Sequence, residues 1–72
     1  PSSARFAYVH AVALHAAGRA GDAITLLERT SAAHPRDPAL LEALASFHAE
    51  RGDAEAAARA IAQLDALSVA DP

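Results

Sequence analysis

Four histidines and nine acidic residues are the side chains in this 72-residue chain with the widest choice of chemistry. His10 and His15 are five residues apart. On a helix that separation is about 140° around the axis, so the two rings cannot converge on one metal as an i, i+4 pair can. His15 and His48 fall near the ends of the first and third helical stretches, where they could approach each other. No acidic or cysteine ligand accompanies them at metal-binding spacing, so each histidine reads as a surface or groove residue. Ser31, His34 and Asp37 contain the three residue types of a hydrolytic triad. Triad members must converge in a pocket, whereas these lie at a helix end and a turn, where Ser and Asp cap backbone groups. Gly18 and Gly21 form a GxxG without the Gly-Lys-Ser of a phosphate loop, and read as helix punctuation. The chain therefore reads as a non-enzyme with no catalytic residue, no metal site and no cofactor.

Composition narrows the partners. The net charge is −3, with no lysine and six arginines spread along the chain. Nucleic acid and anionic membrane surfaces call for clustered basic residues instead. Cysteine is absent, which excludes disulfides and thiolate metal sites. The most apolar run, "AYVHAVALHAAG", is broken by His10, His15 and Gly18, well short of the roughly 18 residues of a membrane span. No basic leader precedes an apolar stretch, as a signal peptide would require. The sequence opens on Pro1 rather than Met, and is expected to be a piece of a longer or processed protein. Its length allows one small domain, which buries only about 60% of the surface its unfolded chain exposes.

Alanine-rich stretches broken at Gly18, Gly21, Pro35, Pro38 and Gly52 predict helices at about 4–17, 20–33, 38–51 and 54–67. Each carries a period of three and four. The expected buried stripes are Phe6, His10, Ala13 and Ala17 in the first stretch, and Ala23, Ile24, Leu27 and Thr30 in the second. In the third they are Leu40, Leu41, Leu44, Phe47 and His48, and in the fourth Ala57, Ala58, Ile61, Leu64 and Leu67. Ser2 or Ser3, Asp37 and Asp53 are placed to cap helix starts, with Pro38 in a first turn. Gly18 and Gly52 sit just past helix ends, where a left-handed residue is wanted. Pro35 stops the second helix.

The chain also repeats itself. An offset of 34 residues aligns Gly18 with Gly52, Ala11 with Ala45, Ala23 with Ala57, and Asp37-Pro38 with Asp71-Pro72. A rival offset of 31 matches Gly21-Asp22-Ala23 to Gly52-Asp53-Ala54, but sets the helix-ending Gly18 opposite Ala49 inside a helix. Alanine matches are cheap here, so the glycines and Asp-Pro pairs decide for 34.

On these residues the chain resembles tetratricopeptide repeats, with a first unit at about 4–37 and a second at about 38–71. The family's small, glycine, alanine, large, small and proline positions are taken by Ala11, Gly18, Ala23, Leu27, Thr30 and Pro35. In the second unit they are Ala45, Gly52, Ala57, Ile61, Leu64 and Val69. Leu64 and Val69 depart from the small residue and the proline, so the last helix is free to run past Leu67. Ala7 and His10 stand at normally large apolar positions, which leaves the first helix less well specified. The segment "ARFAYVHAVAL" is also similar to repeats of large bacterial proteins, including multihaem cytochromes, although a haem-attaching CxxCH is missing.

The resemblance implies an all-α fold: two helix–turn–helix hairpins stacked as a short right-handed α-solenoid of four antiparallel helices, forming a single domain. Ala11 against Ala23 and Ala45 against Ala57 would bring paired helices close, with Leu14, Leu27, Leu41, Leu44 and Ile61 filling the space between. It also implies a concave groove that binds a protein or peptide, on Arg5, Tyr8, Val9, Val12 and His15 of the first unit and Glu42, Ala43, Ser46 and Glu50 of the second. Members that clamp a terminal carboxylate use lysine and asparagine, which this sequence lacks altogether. The alternative role is a structural spacer or oligomerisation element. Two repeats without a polar cap should leave Ile61, Leu64 or Leu67 exposed on the last helix, making self-association or marginal stability the expectation.

Overall fold

The computed structural model describes residues 3–70, with side chains through residue 68. The alternative cap Ser2, the second Asp-Pro at 71–72 and the Val69 side chain lie outside the described residues. Four helices follow in order: α1 (Ala4–Ala16), α2 (Ala20–Ala33), α3 (Pro38–Glu50) and α4 (Ala54–Ala70). The first three end within a residue of expectation. α4 runs on past Leu67, because no Gly or Pro lies between Asp53 and Ala70 to stop it.

Local chemistry sets most of the ends. Ser3 Oγ accepts the Phe6 N–H at 3.3 Å and caps α1. An Asp37 carboxylate oxygen accepts the Ala39 N–H at 3.1 Å and caps α3, with Pro38 at its first position. Asp53 accepts the Ala56 N–H at 3.1 Å and caps α4. Arg19 holds the matching place before α2 and offers no side-chain acceptor to the helix.

The two turns inside the hairpins are copies of each other. Gly18 has φ +83° and donates its N–H to His15 O at 3.1 Å, while Arg19 donates to Leu14 O at 2.9 Å. Gly52 has φ +79° and donates to Ala49 O at 3.0 Å, while Asp53 donates to His48 O at 2.9 Å. Every one of these atoms maps onto its counterpart by adding 34. The pair of bonds is the glycine-dependent helix stop in which two N–H groups satisfy the last free carbonyls. The duplication seen in sequence is therefore one of backbone hydrogen bonding, and the offset of 31 has no such counterpart.

α1 packs on α2 and α3 on α4, as two antiparallel hairpins. α2 and α3 join the hairpins, and α1 touches α3 lightly. Neither α1 nor α2 packs against α4 among the described residues. The Cα atoms fill a slab 14 Å thick, which is two helices at a normal spacing of about 8–10 Å. One buried cluster spans the first three helices and reaches α4 at Ala60, with Ala11, Ala23, Leu27, Leu40, Leu44 and Phe47 among its members. Ala11 and Ala23 have no exposed surface, as two helices crossing on small residues require.

The buried stripes differ from expectation in three places. α1 buries Ala7 and Ala11, with Tyr8 and Leu14 half-buried, and turns Phe6, His10 and Ala13 outward. Apolar residues occur on almost every side of α1, so its periodicity did not single out the inner face. In α2 it is Ser31 rather than Thr30 that is buried. The Thr30 hydroxyl instead donates to Leu26 O at 2.8 Å. α4 buries Ala56, Ala57 and Ala60, leaving Ala58 and Ile61 exposed and Leu64 and Leu67 half-buried. Ile61 therefore does not fill the hairpin interior as expected, although its exposure on the last helix matches the other expectation. In the second hairpin Ala57 is buried and Ala45 only half-buried.

Candidate protein-binding face

The His15 side chain joins the C-terminal end of α1 to that of α3. The His15 ring lies flat on the Phe47 ring, with centroids 4.1 Å apart and planes 9° from parallel. Its Nε2 is 2.7 Å from Glu50 Oε1, an N–H donating to a carboxylate. Phe47 is buried, His15 half-buried and Glu50 exposed, so the cluster is an apolar stack closed by a polar rim. Stacking and a hydrogen bond together fix the imidazole in one orientation. The exposed His15–Glu50 contact itself adds little stability, of order 0–1 kcal/mol.

The expected approach of His15 to His48 does not occur. His48 turns the other way, and its Nε2 lies 3.5 Å from Glu28 Oε2 on α2. The reason is helical phase. His48 maps onto Leu14 under the 34-residue offset, so it sits one residue, about 100° around the axis, from the position matching His15. The same arithmetic contained the contact that sequence reasoning missed: Glu50 lies one residue past the counterpart of His15.

Around this junction the expected groove residues are distributed unevenly. Arg5, Val9, Val12, Glu42, Ser46 and Glu50 are exposed, and Tyr8 is half-buried against the core. Ala43 is buried and belongs to the core cluster, so it is a packing residue and not a groove residue. The small side chain explains this, because it lets α3 sit close on its neighbour. Glu42 is two turns before Glu50 on α3, about 12 Å along the axis. It lines a surface hollow with Leu64, Asp65, Leu67 and Ser68 of α4, at the far edge of the second hairpin.

A second concavity had no counterpart in the sequence reading. α2 and α4 diverge over α3, leaving a cleft of about 310 Å³ floored by Leu41 and Leu44 and rimmed by Glu28, His48, Arg59 and Gln63. Nothing in residue spacing announces it, because it arises from two helices that do not touch.

The residues first weighed for chemistry serve the backbone. His34 donates its backbone N–H to Ser31 O at 3.2 Å, Asp37 donates to His34 O at 3.1 Å, and the Asp37 side chain caps α3. Among the described residues no group of three His, Asp or Glu side chains is placed to hold a metal ion. No helix among them is long and apolar enough to cross a membrane.

Paired antiparallel helices, repeated at 34 residues and closed by the same glycine turn, define a helical-repeat scaffold. A family model described as "Tetratricopeptide repeat" matches residues 14–72, and the chain belongs to that family. The match begins inside α1, beyond Ala7 and His10, the two positions at which the first helix departs from the family pattern. Neither a curated protein nor a solved structure matches the chain significantly. Repeats of this family serve in general as non-catalytic scaffolds that bind proteins or peptides.

Proposed function

We propose that the two repeats act as one domain that binds a protein or peptide segment on the face shared by α1 and α3, and that the chain is not an enzyme. The carrying observation is the His15–Phe47–Glu50 junction. It ties the two helices at one point, so exposed side chains on both keep a fixed relation. Rigid presentation matters because ordering side chains at the moment of binding costs affinity, about 0.5–1.5 kcal/mol for each one immobilised. Tyr8 and Val12 supply the apolar contact, with Arg5, Glu42 and Ser46 as polar contacts beside it. A half-buried tyrosine is a suitable anchor, since aromatic residues carry a disproportionate share of binding energy.

Peptides selected from a random display library on the immobilised chain test this reading. Binding should weaken at least tenfold in Arg5→Ala and Val12→Asp, and stay unchanged in Arg59→Ala on the α2–α4 side. Selected peptides that bind all three variants as they bind the unsubstituted chain would refute it, as would selection that yields no binder. Both test positions on α1 are exposed, so loss of binding is not loss of fold.

A second reading is favoured by one observation, the outward Ile61 on α4. A β-branched side chain half in solvent, on the side of α4 turned away from the core, suits self-association through that helix.

A further inference from the structure

By the 34-residue offset, the outer faces of α1 and α4 repeat the internal α2–α3 interface, and any neighbouring repeat of a longer chain would stack there. The cleft between α2 and α4 belongs to neither face. On α4 it is lined by Ala56, Arg59, Ala60 and Gln63, whereas the repeated face carries Ala58, Ile61 and Asp65. A stack extended in either direction leaves this cleft open.

The cleft holds a polar group with nothing to bind. α2 carries three hydroxyls. Thr25 donates to Gly21 O at 3.1 Å and Thr30 to Leu26 O at 2.8 Å, each one turn back. Ser31, more than nine-tenths buried, makes no such bond, and its hydroxyl has no protein partner among the described residues. Its oxygen is still not sealed off, because no fully enclosed side-chain oxygen or nitrogen among them lacks a partner. The surface that Ser31 keeps therefore opens into the cleft it lines. The charged groups of the rim differ in how far they are engaged. Glu28 has His48 Nε2 3.5 Å from its Oε2. Arg59 Nη1 is 3.8 Å from Glu55 Oε1, beyond hydrogen-bond range, and both side chains are largely exposed. Gln63 adds an amide one turn after Arg59 on the same side of α4.

We propose that this cleft binds a small aliphatic carboxylate. Its hydrocarbon lies on Leu41 and Leu44, and its head group takes hydrogen bonds from the Ser31 hydroxyl, the Arg59 guanidinium and the Gln63 amide. A carboxylate has about four acceptor sites, so three donors suit it, and one of them is charged. Glu28 repels the head group and keeps it toward the Gln63 end. Volume sets the size. The cleft of about 310 Å³ equals roughly ten water molecules at about 30 Å³ each, room for a chain of about eight carbons. A helix about 10 Å across does not fit it. The site stands at the small end of ligand cavities, so the dissociation constant is on the order of millimolar. The α1–α3 face takes no part in it.

Nuclear magnetic resonance of the isotope-labelled 72-residue chain, titrated with sodium octanoate, tests the assignment. The Leu41 and Leu44 methyls and the Gln63 side-chain amide should shift saturably, while acetate and octylamine should not move them. Arg59→Gln should weaken binding about fivefold or more and Ser31→Ala about threefold or more. Arg29→Gln, exposed on α2 and outside the cleft, should leave it unchanged. Circular dichroism should show the same helix content in all three, since Arg59 and Arg29 are exposed and alanine favours helix over serine. Absence of a saturable shift overturns the site. Octylamine binding as well as octanoate overturns the carboxylate assignment. Equal losses in Arg59→Gln and Arg29→Gln reduce the effect to general attraction of anions and overturn it too, as does Ser31→Ala binding like the unsubstituted chain.

Discussion

The same substitution, glycine to alanine, should have opposite signs at the three glycines of this chain. At Gly18 and Gly52 an added Cβ meets nothing within 4 Å. No clash enters, and only the backbone term remains. Both residues have φ near +80°, where an L-residue with a Cβ is penalised by about 1–2 kcal/mol. Alanine also restricts the unfolded chain, which returns about 0.4–1 kcal/mol, so the net loss is about 1 kcal/mol at each site. Gly21 lies inside α2, and its Cβ would come within 3.2 Å of Arg51 Nη1, the far end of a flexible and exposed side chain. That guanidinium swings aside at little cost. The helix then gains the propensity difference, about 0.5–1 kcal/mol. In a domain of this size 1 kcal/mol corresponds to about 4–8 °C in Tm. Thermal unfolding followed by circular dichroism, at one fixed concentration to hold any association constant, should show Gly18→Ala and Gly52→Ala falling by similar amounts and Gly21→Ala rising. If Gly18→Ala and Gly52→Ala differ by more than about 1 kcal/mol, the two turns are not energetic copies, whatever their hydrogen bonds. If Gly21→Ala falls with them, space rather than backbone geometry governs these sites.

Two further outcomes follow from the contrast between repeats. Asp53 caps α4 and Arg19 does not cap α2, so Arg19→Asn should add a cap worth about 1 kcal/mol and lose an exposed pair with Asp22 worth about 0.5 kcal/mol at most. A Tm that does not rise would count against the cap assignment. Leu27→Ala should remove about 2–5 kcal/mol from a fully buried site. A core of this size rarely supplies more than about 3–5 kcal/mol, so the variant should be largely unfolded at 25 °C, while Ile61→Ala at the counterpart position keeps its helix content.

The helices and their ends were legible because Gly, Pro, Ser and Asp act within a turn of where they stand. Ser3, Asp37 and Asp53 cap the helices they precede, and Gly18 and Gly52 take the left-handed conformation their positions demanded. The inner face of α1 was not legible, because Phe6, Val9 and Val12 are as apolar as Ala7 and Ala11 and a good deal larger. Hydrophobicity favoured the large residues for burial, and packing chose the small ones. Ala11 and Ala23, with no exposed surface between two packed helices, leave room only for short side chains, and a stripe of short side chains looks weak on any hydropathy scale. The α1–α3 junction failed to appear for another reason. Pairing His15 with His48 overlooked that the 34-residue offset carries His15 to position 49, so His48 turns about 100° away and Phe47 and Glu50 meet the imidazole instead.

The differences between the two copies of the interface also bear on how tightly the outer faces hold. Within the molecule, Leu40, Leu44 and Phe47 fill the contact. On the outer face of α1 the same places carry Phe6, His10 and Ala13. One large apolar residue is kept at the first place. At the second the His10 imidazole replaces Leu44, and at the third a methyl replaces the Phe47 ring. On α4, Ala58 stands for Ile24 and Asp65 for Ser31. Each apolar side chain removed forgoes about 1.5–3 kcal/mol of burial. Three of the large apolar places, those of Leu44, Phe47 and Ile24, are reduced in this way, so any contact made on these outer faces is weaker than the internal one by several kcal/mol. A surface reduced in this manner would hold a neighbour less firmly than the internal α2–α3 interface holds the fold together.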